Sequence, residues 1–374
     1  MSINFNPTSF LLLVGALAGN ASIFGLDIFL LLSVPVFLLL AFGRLKQAGE
    51  SPPLTMIFLA ASPLLFFIVR APEIGIPYFE QYRLWPIKSL LLAMFLVYQT
   101  RNPWPLGNDY LLAGLILFLL FAGEIEQGRF VSLFGPNMLY RFFGTLFLIG
   151  LIRAGATMGV SRTVAVVMSG IGIFGMSLTG SVGTIPLVLC AVYFARESVW
   201  KLFRSHAGPF VVFVGLAILW QFRGFFSNNL ISRVQYKISN IDADERLFTW
   251  RRLADTDPGW FGLDYNRFTA IWTLRIPYPH NILIELWAFY GFVGFAVGIL
   301  ACYAYLDARK TNYYFYFVSI VILIGSMLSG DLSDNFAVLS FPVAYAATQS
   351  IRALNVRKQL ASSLGANRNS VTIV

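Results

Sequence analysis

Apolar runs of roughly 17–25 residues, almost free of charge, recur along this chain and limit its fold more than any other feature. In a bilayer every backbone polar group needs a partner within the protein, so such runs become helices. About twelve spans are expected on this criterion: 9–24, 26–43, 54–70, 84–100, 109–123, 137–152, 163–180, 182–195, 208–224, 281–306, 313–328 and 336–351. Phe10 to Phe42 reads either as the first two of these or as one long tilted helix. Composition agrees with a membrane protein. Charged residues make up 12 % of the 374, against about 25 % in soluble chains, and there are 36 Phe. A soluble enzyme, a disordered chain and a disulfide scaffold are thereby excluded. Cys190 and Cys302 both lie in apolar runs and read as small core residues. No cleavable signal peptide is expected, because Met1 to Ser9 has no basic residue.

The basic residues orient the spans. With twelve spans both termini share a side. That side collects Arg44, Lys46, Arg101, Arg153, Arg162, Arg196, Lys201, Arg204, Arg309, Lys310, Arg352, Arg357, Lys358 and Arg368. The short loops opposite hold Arg83 and Arg129. This asymmetry makes the termini cytoplasmic and accounts for the net charge of +9 without nucleic acid. The expected organisation is one all-α polytopic membrane domain over 1–352, with a long external loop at 225–280 and a short cytoplasmic tail at 353–374.

The loop carries most of the candidate chemistry. Asn240 to Asp255 reads as a helix capped by Asp242, with Glu245 completing a capping box. Arg246 and Trp250 then share a face, and Arg251 and Arg252 follow on neighbouring faces. A guanidinium fork suits phosphate oxygens, although an ion pair with a loop acid is an equal reading. Trp250, Trp260, Phe261, Tyr265, Trp272 and Tyr278 interleave these charges. Their flat faces suit sugar rings and a membrane interface equally well. His280 follows two prolines at the mouth of the tenth span, and Asn281 is a ready N-cap. A helix N-terminus disfavours an imidazolium, so His280 could serve as a general base, or simply bond a loop carbonyl. No His/Cys cluster suggests a metal.

Within the spans, Arg141 either faces a buried anion or extends outward, and Lys88 is expected to extend to the interface. Asp331, Asp334 and Glu285 are candidates to orient His280 or pair with an arginine. No Gly-Lys pair and no Gly-x-Ser-x-Gly occurs, so neither a phosphate-binding P-loop nor a nucleophile elbow is present.

His280-Asn281, nine residues, Gly291, Phe292-Val293 and Gly294 match an H-[NSQ]-x9-G-x-x-[GTY] pattern. On this motif the chain resembles the O-antigen polymerase and O-antigen ligase superfamily of bacterial envelope glycosyltransferases. Glu245-Arg246, Trp250, Gly259 and Gly262 resemble that family's stretch leading into the His motif. Gly135-Pro136-Asn137 resembles its Pro-Asn element, and Ser177-Leu178-Thr179-Gly180-Ser181 its Ser-Arg-Gly turn, with Val182 where the family often has Arg. The likeness covers roughly 130–345.

The resemblance implies a GT-C-like membrane fold in the bacterial inner membrane, with a periplasmic loop and no metal or other cofactor. It implies a polyprenyl-diphosphate-linked oligosaccharide as donor and a glycan, or lipid A-core, as acceptor. Arg246, with Arg251, Arg252 or Arg141, would hold the diphosphate. His280 would take the acceptor proton, Asn281 would support it, and Trp250, Trp260 and Tyr278 would line the glycan path. Polymerisation of repeat units is the favoured outcome, and a chain-length regulator would fit it as a further partner. Transfer to lipid A-core or protein, and less so flipping of a lipid-linked oligosaccharide, remain open.

Overall fold

A computed structural model describes residues 4–19, 21–23, 26–46, 66–69, 80–99, 104–126, 129–181, 183–205, 232–240, 245–263, 267, 281–308, 314–328 and 335–349. The expected spans 54–70 (apart from 66–69) and 208–224, and the tail 353–374, lie outside the described residues. The rest is mostly helical.

The first helix, α1 (Pro7–Ala18), starts where Asn6 accepts from the Ser9 amide (3.1 Å) and stops at Gly19, which has φ 59°. A two-stranded antiparallel ladder, β1 (Ser22–Ile23) with β2 (Leu26–Asp27), turns the chain into α2 (Ile28–Lys46). Phe10 to Phe42 is therefore two helices packed together rather than one tilted rod. Gly15 permits this, since a Cβ there would lie 3.0 Å from the Phe29 ring. Asp27 accepts from the Leu30 amide at the start of α2 (3.1 Å).

Next come α3 (Glu80–Gln99) and α4 (Leu106–Phe121). Lys88, expected to extend outward, is instead 1 % exposed and forms an ion pair with Asp27. A half-buried carboxylate within reach outweighs the walk to the interface, because an unpaired charge at that depth is costly. A hairpin of β3 (Glu124–Glu126) and β4 (Arg129–Val131) leads into α5 (Pro136–Ala156).

Helix α5 is the centre of the bundle. It packs against α6 (Val160–Leu178), α7 (Thr184–Phe194), α8 (Arg196–Phe203), α4 and α1. Small residues let α5 and α6 approach. A Cβ on Gly172 would lie 2.5 Å from the Phe147 amide nitrogen, and one on Gly150 2.7 Å from the Ala165 carbonyl. Without a hydrophobic drive between helices in lipid, such close packing is a main source of cohesion. Helix α7 spans 11 residues, about 16 Å at 1.5 Å per residue, which is shorter than a bilayer core.

The segment read as a long loop contains two helices, α9 (Ser232–Ser239) and α10 (Glu245–Thr256). Of the helix expected over Asn240 to Asp255, the structure describes the part from Glu245. The Asn240 amide closes the preceding helix on the Tyr236 carbonyl (3.0 Å), and Asp242 lies outside the described residues. Then come α11 (Ile282–Ala308), α12 (Tyr314–Leu328) and a last helix, α13, over 337–349.

Among the described residues, three segments are long and apolar enough to cross a membrane: Pro136–Ala156, Ser161–Leu178 and Ile282–Asp307. Shorter apolar helices surround them. Large apolar side chains face outward, among them Val34, Phe37, Phe118 and Phe121. In water such a surface is a liability, whereas against lipid it is ordinary.

The third segment does not run straight. At Gly291 the backbone leaves the helix (φ 63°, ψ −154°). A Cβ on Gly298 would lie 2.6 Å from Leu283 Cδ2. In a continuous helix those positions are about 22 Å apart. Ile282–Tyr290 and the helix from Phe292 onward are thus the two arms of a helical hairpin, where a single span over 281–306 was expected.

Candidate functional site

The motif glycines meet at the turn of this hairpin. Breaking a helix frees the last carbonyls of one arm and the first amides of the next. The segment after α10 pairs with groups from both sets. The Phe292 amide donates to the Gly259 carbonyl (2.9 Å) and the Val293 amide to the Trp260 carbonyl (3.3 Å). The Leu263 amide donates to the Ala288 carbonyl (2.8 Å). Within the segment, the Gly262 amide reaches the Pro258 carbonyl (3.1 Å), and the Gly259 amide reaches Asp257 Oδ1 (3.1 Å).

Only glycine fits at two of these positions. Gly291 occupies backbone territory that other residues essentially never enter, and a Cβ there would lie 2.5 Å from the Gly259 oxygen and the Gly262 nitrogen. Gly262 (φ 87°) would place a Cβ 2.5 Å from the Tyr290 nitrogen. An aromatic cluster supports the turn: the Trp85 indole donates to the Tyr290 hydroxyl (3.2 Å), and the Phe67 ring packs edge-on at 4.6 Å from the Tyr290 ring.

At the other end of the first arm, Asn281 Oδ1 accepts from the Leu283 (3.0 Å) and Ile284 (3.2 Å) amides, an N-cap in the position expected. Its Nδ2 donates to the Met327 carbonyl on α12 (3.2 Å). Glu285, one turn on, is fully buried. His280, the adjoining residue in the chain, lies outside the described residues, as do Tyr278, Asp331 and Asp334.

Arg141 does not extend outward. It is 1 % exposed, and its Nη2 donates to Asn335 Oδ1 (2.6 Å). A Cβ on Gly325 would lie 2.5 Å from the Tyr140 hydroxyl and 3.2 Å from Arg141 Nε. Gly325 and Met327 belong to the same turn of α12, so Arg141 and the Asn281 end of the hairpin arm are gathered at one place.

Two of the α10 arginines are described, and both are exposed. Thr249 and Leu253 are buried, Trp250 is half-buried, and Arg251 and Arg252 are exposed. The Arg252 guanidinium lies over the Phe248 ring (5.2 Å). The Arg246 side chain lies outside what the structure describes.

Two residues escaped the sequence reading. Asn335 holds Arg141, and its only signal was its place just after Asp334. Arg129 links two motif elements: its Nε donates to the Thr179 carbonyl and its Nη2 to Asn137 Oδ1, both at 3.1 Å. Arg129 was visible as one of two basic residues in the short external loops. Val182, where the resembled family often has Arg, lies outside the described residues.

The chain matches no protein-family model, no curated protein and no solved structure.

Proposed function

We propose that the protein is a metal-independent membrane glycosyltransferase that polymerises polyprenyl-diphosphate-linked oligosaccharide units, working at the outer face of a bacterial inner membrane with both termini in the cytoplasm. The observation that carries most weight is the shared turn of α12, where buried Arg141 and the Asn281-capped arm come together. His280 adjoins Asn281 in sequence, so a base and a buried cation are joined through one structural element. The hairpin turn adds a second connection, because the segment leaving α10 is hydrogen-bonded into it. On α10, position 246 falls by helical register on the side of Leu253, away from Arg251 and Arg252.

In this reading the acceptor hydroxyl oxygen attacks the anomeric carbon, and the bond from that carbon to the diphosphate oxygen breaks. His280 takes the hydroxyl proton. The diphosphate leaves with the electron pair, and Arg246 and Arg141 stabilise its growing charge. A single displacement inverts the anomeric centre. Trp250 and Tyr278 line the glycan path, with Glu285, Asp331 and Asp334 as supporting groups.

The test is reconstitution of the purified protein with lipid-linked repeat units alone, with products resolved by size. A ladder of longer glycans is expected, reduced roughly 10²–10⁴-fold in His280→Ala, the usual size of a general-base contribution. Product only after addition of lipid A-core would assign a ligase. Silence in both, with lipid-linked units still crossing the bilayer, would make the protein a transporter. A full ladder from folded His280→Ala would remove the base assignment.

A further inference from the structure

The arm of α11 that begins at Phe292 has two clearly different faces. Gly294, Gly298, Ala301 and Tyr305 are buried. Phe292, Ile299, Leu300, Tyr303 and Leu306 are exposed, at 53 %, 46 %, 66 %, 68 % and 55 %. At 3.6 residues per turn these five lie within about 60° of one line, a continuous apolar stripe. An outward apolar stripe of this kind is ordinary against lipid and a liability in water, which makes it the lipid-facing side of the arm.

The stripe does not stop where the helix starts. Trp260 and Phe261, on the segment clamped into the hairpin turn, are 66 % and 60 % exposed. The Trp260 ring meets the Phe292 ring edge-on at 5.2 Å, and the Trp260 carbonyl accepts from the Val293 amide. The lipid-facing surface thus continues from the helix onto the neighbouring loop without a polar break. Phe261 and Phe292 carry no polar atom with which to bind a sugar hydroxyl. Tryptophan, apolar with one N–H, favours the headgroup boundary.

We propose that Trp260, Phe261 and Phe292 form a membrane-interface anchor. It seats the 257–263 segment in the leaflet on its own side of the bilayer and sets the depth of the hairpin and of α10 above it. On the stretch leading into the anchor, exposed Arg251 and Arg252 are matched by exposed Asp255 and Asp257. The seating rests on the apolar contact of the Trp260, Phe261 and Phe292 side chains. The inference is independent of the glycosyltransferase reading and assigns Trp260 to lipid rather than to glycan.

The experiment is fluorescence quenching in phosphatidylcholine vesicles brominated on the upper acyl carbons. The chain has 8 Trp, so the signal is the emission difference between the parent protein and Trp260→Phe. Bromolipid should quench that difference by roughly twofold or more, and aqueous iodide should leave it nearly unchanged, as for an indole at the interface. Phe292→Trp gives a second reading that deletes nothing from the fold, and its added emission should behave the same way. An indole at either position that stays bright in bromolipid but is dimmed by iodide overturns the proposal. So does emission that changes only when a soluble glycan is added.

Discussion

Helices α5 and α11 begin with similar credentials, since both are long and apolar enough to cross a bilayer. One becomes an uninterrupted core rod and the other a hairpin. Of their apolar windows, 78 % is buried in α5 and 50 % in α11. Helix α5 keeps its intrahelical hydrogen bonds and is enclosed by neighbours, with small residues where α6 comes close. Helix α11 breaks at Gly291, and the segment after α10 pairs with three of the groups released there. Hydropathy does not distinguish the two; backbone bonds and close contacts do. The uninterrupted helix provides a fixed frame, whereas the broken one can receive a loop and so bring distant parts of the sequence together.

The sharpest way to break the contrast is Gly291→Ala. The backbone strain alone costs about 1–3 kcal/mol, and the Cβ would also collide with Gly259 and Gly262. We expect loss of the docked 257–263 segment, read as a large rise in amide exchange at Leu263 and Phe292. Unchanged protection at both amides would show that the hairpin is not held by this lock.

Asn335→Ala tests the core partner of α5. Removing the acceptor of a charged hydrogen bond at a buried guanidinium should cost about 1.5–3 kcal/mol, seen as a lower unfolding midpoint in detergent. A midpoint equal to that of the parent would mean that Arg141 does not depend on this amide.

A smaller effect is expected at the aromatic support of the hairpin. Trp85→Phe keeps a ring but removes the donor to Tyr290, a net loss of about 1 kcal/mol. The loss should be confined to amides near Gly291 and leave α5 untouched. Global destabilisation instead would show that the two regions unfold as one.

The smallest effect belongs to Gly114 in α4, where a Cβ would meet nothing within 4 Å. Gly114→Ala should stabilise by about 0.5–1 kcal/mol, because alanine is the better helix former. A destabilisation would reveal a packing partner at that face.

Much of the helical pattern was legible because apolar runs leave the backbone few alternatives. The Asn281 cap was legible too, since capping depends on residue type and local position. Phe10 to Phe42 left two readings open, two spans or one long helix; Gly19 and a short ladder decide for two. Lys88 was misjudged because its partner, Asp27, is far away in sequence and depends on how α2 and α3 pack. Arg141 stayed open for the same reason. Whether an arginine near a helix end turns inward depends on what waits there, and Asn335 comes from another helix connection.

The sequence by itself determined an apolar, mostly helical chain with most of its charges outside the apolar runs, because a helix satisfies the backbone groups of such a run internally. It also marked Gly291, Gly259 and Gly262 as members of one pattern. Tertiary structure decided that these glycines touch, that α11 reverses at the first of them, and that α12 gathers Arg141 and Asn281. Those outcomes rest on atoms far apart in the chain approaching to hydrogen-bond distance. Residue order alone carries no term for that approach.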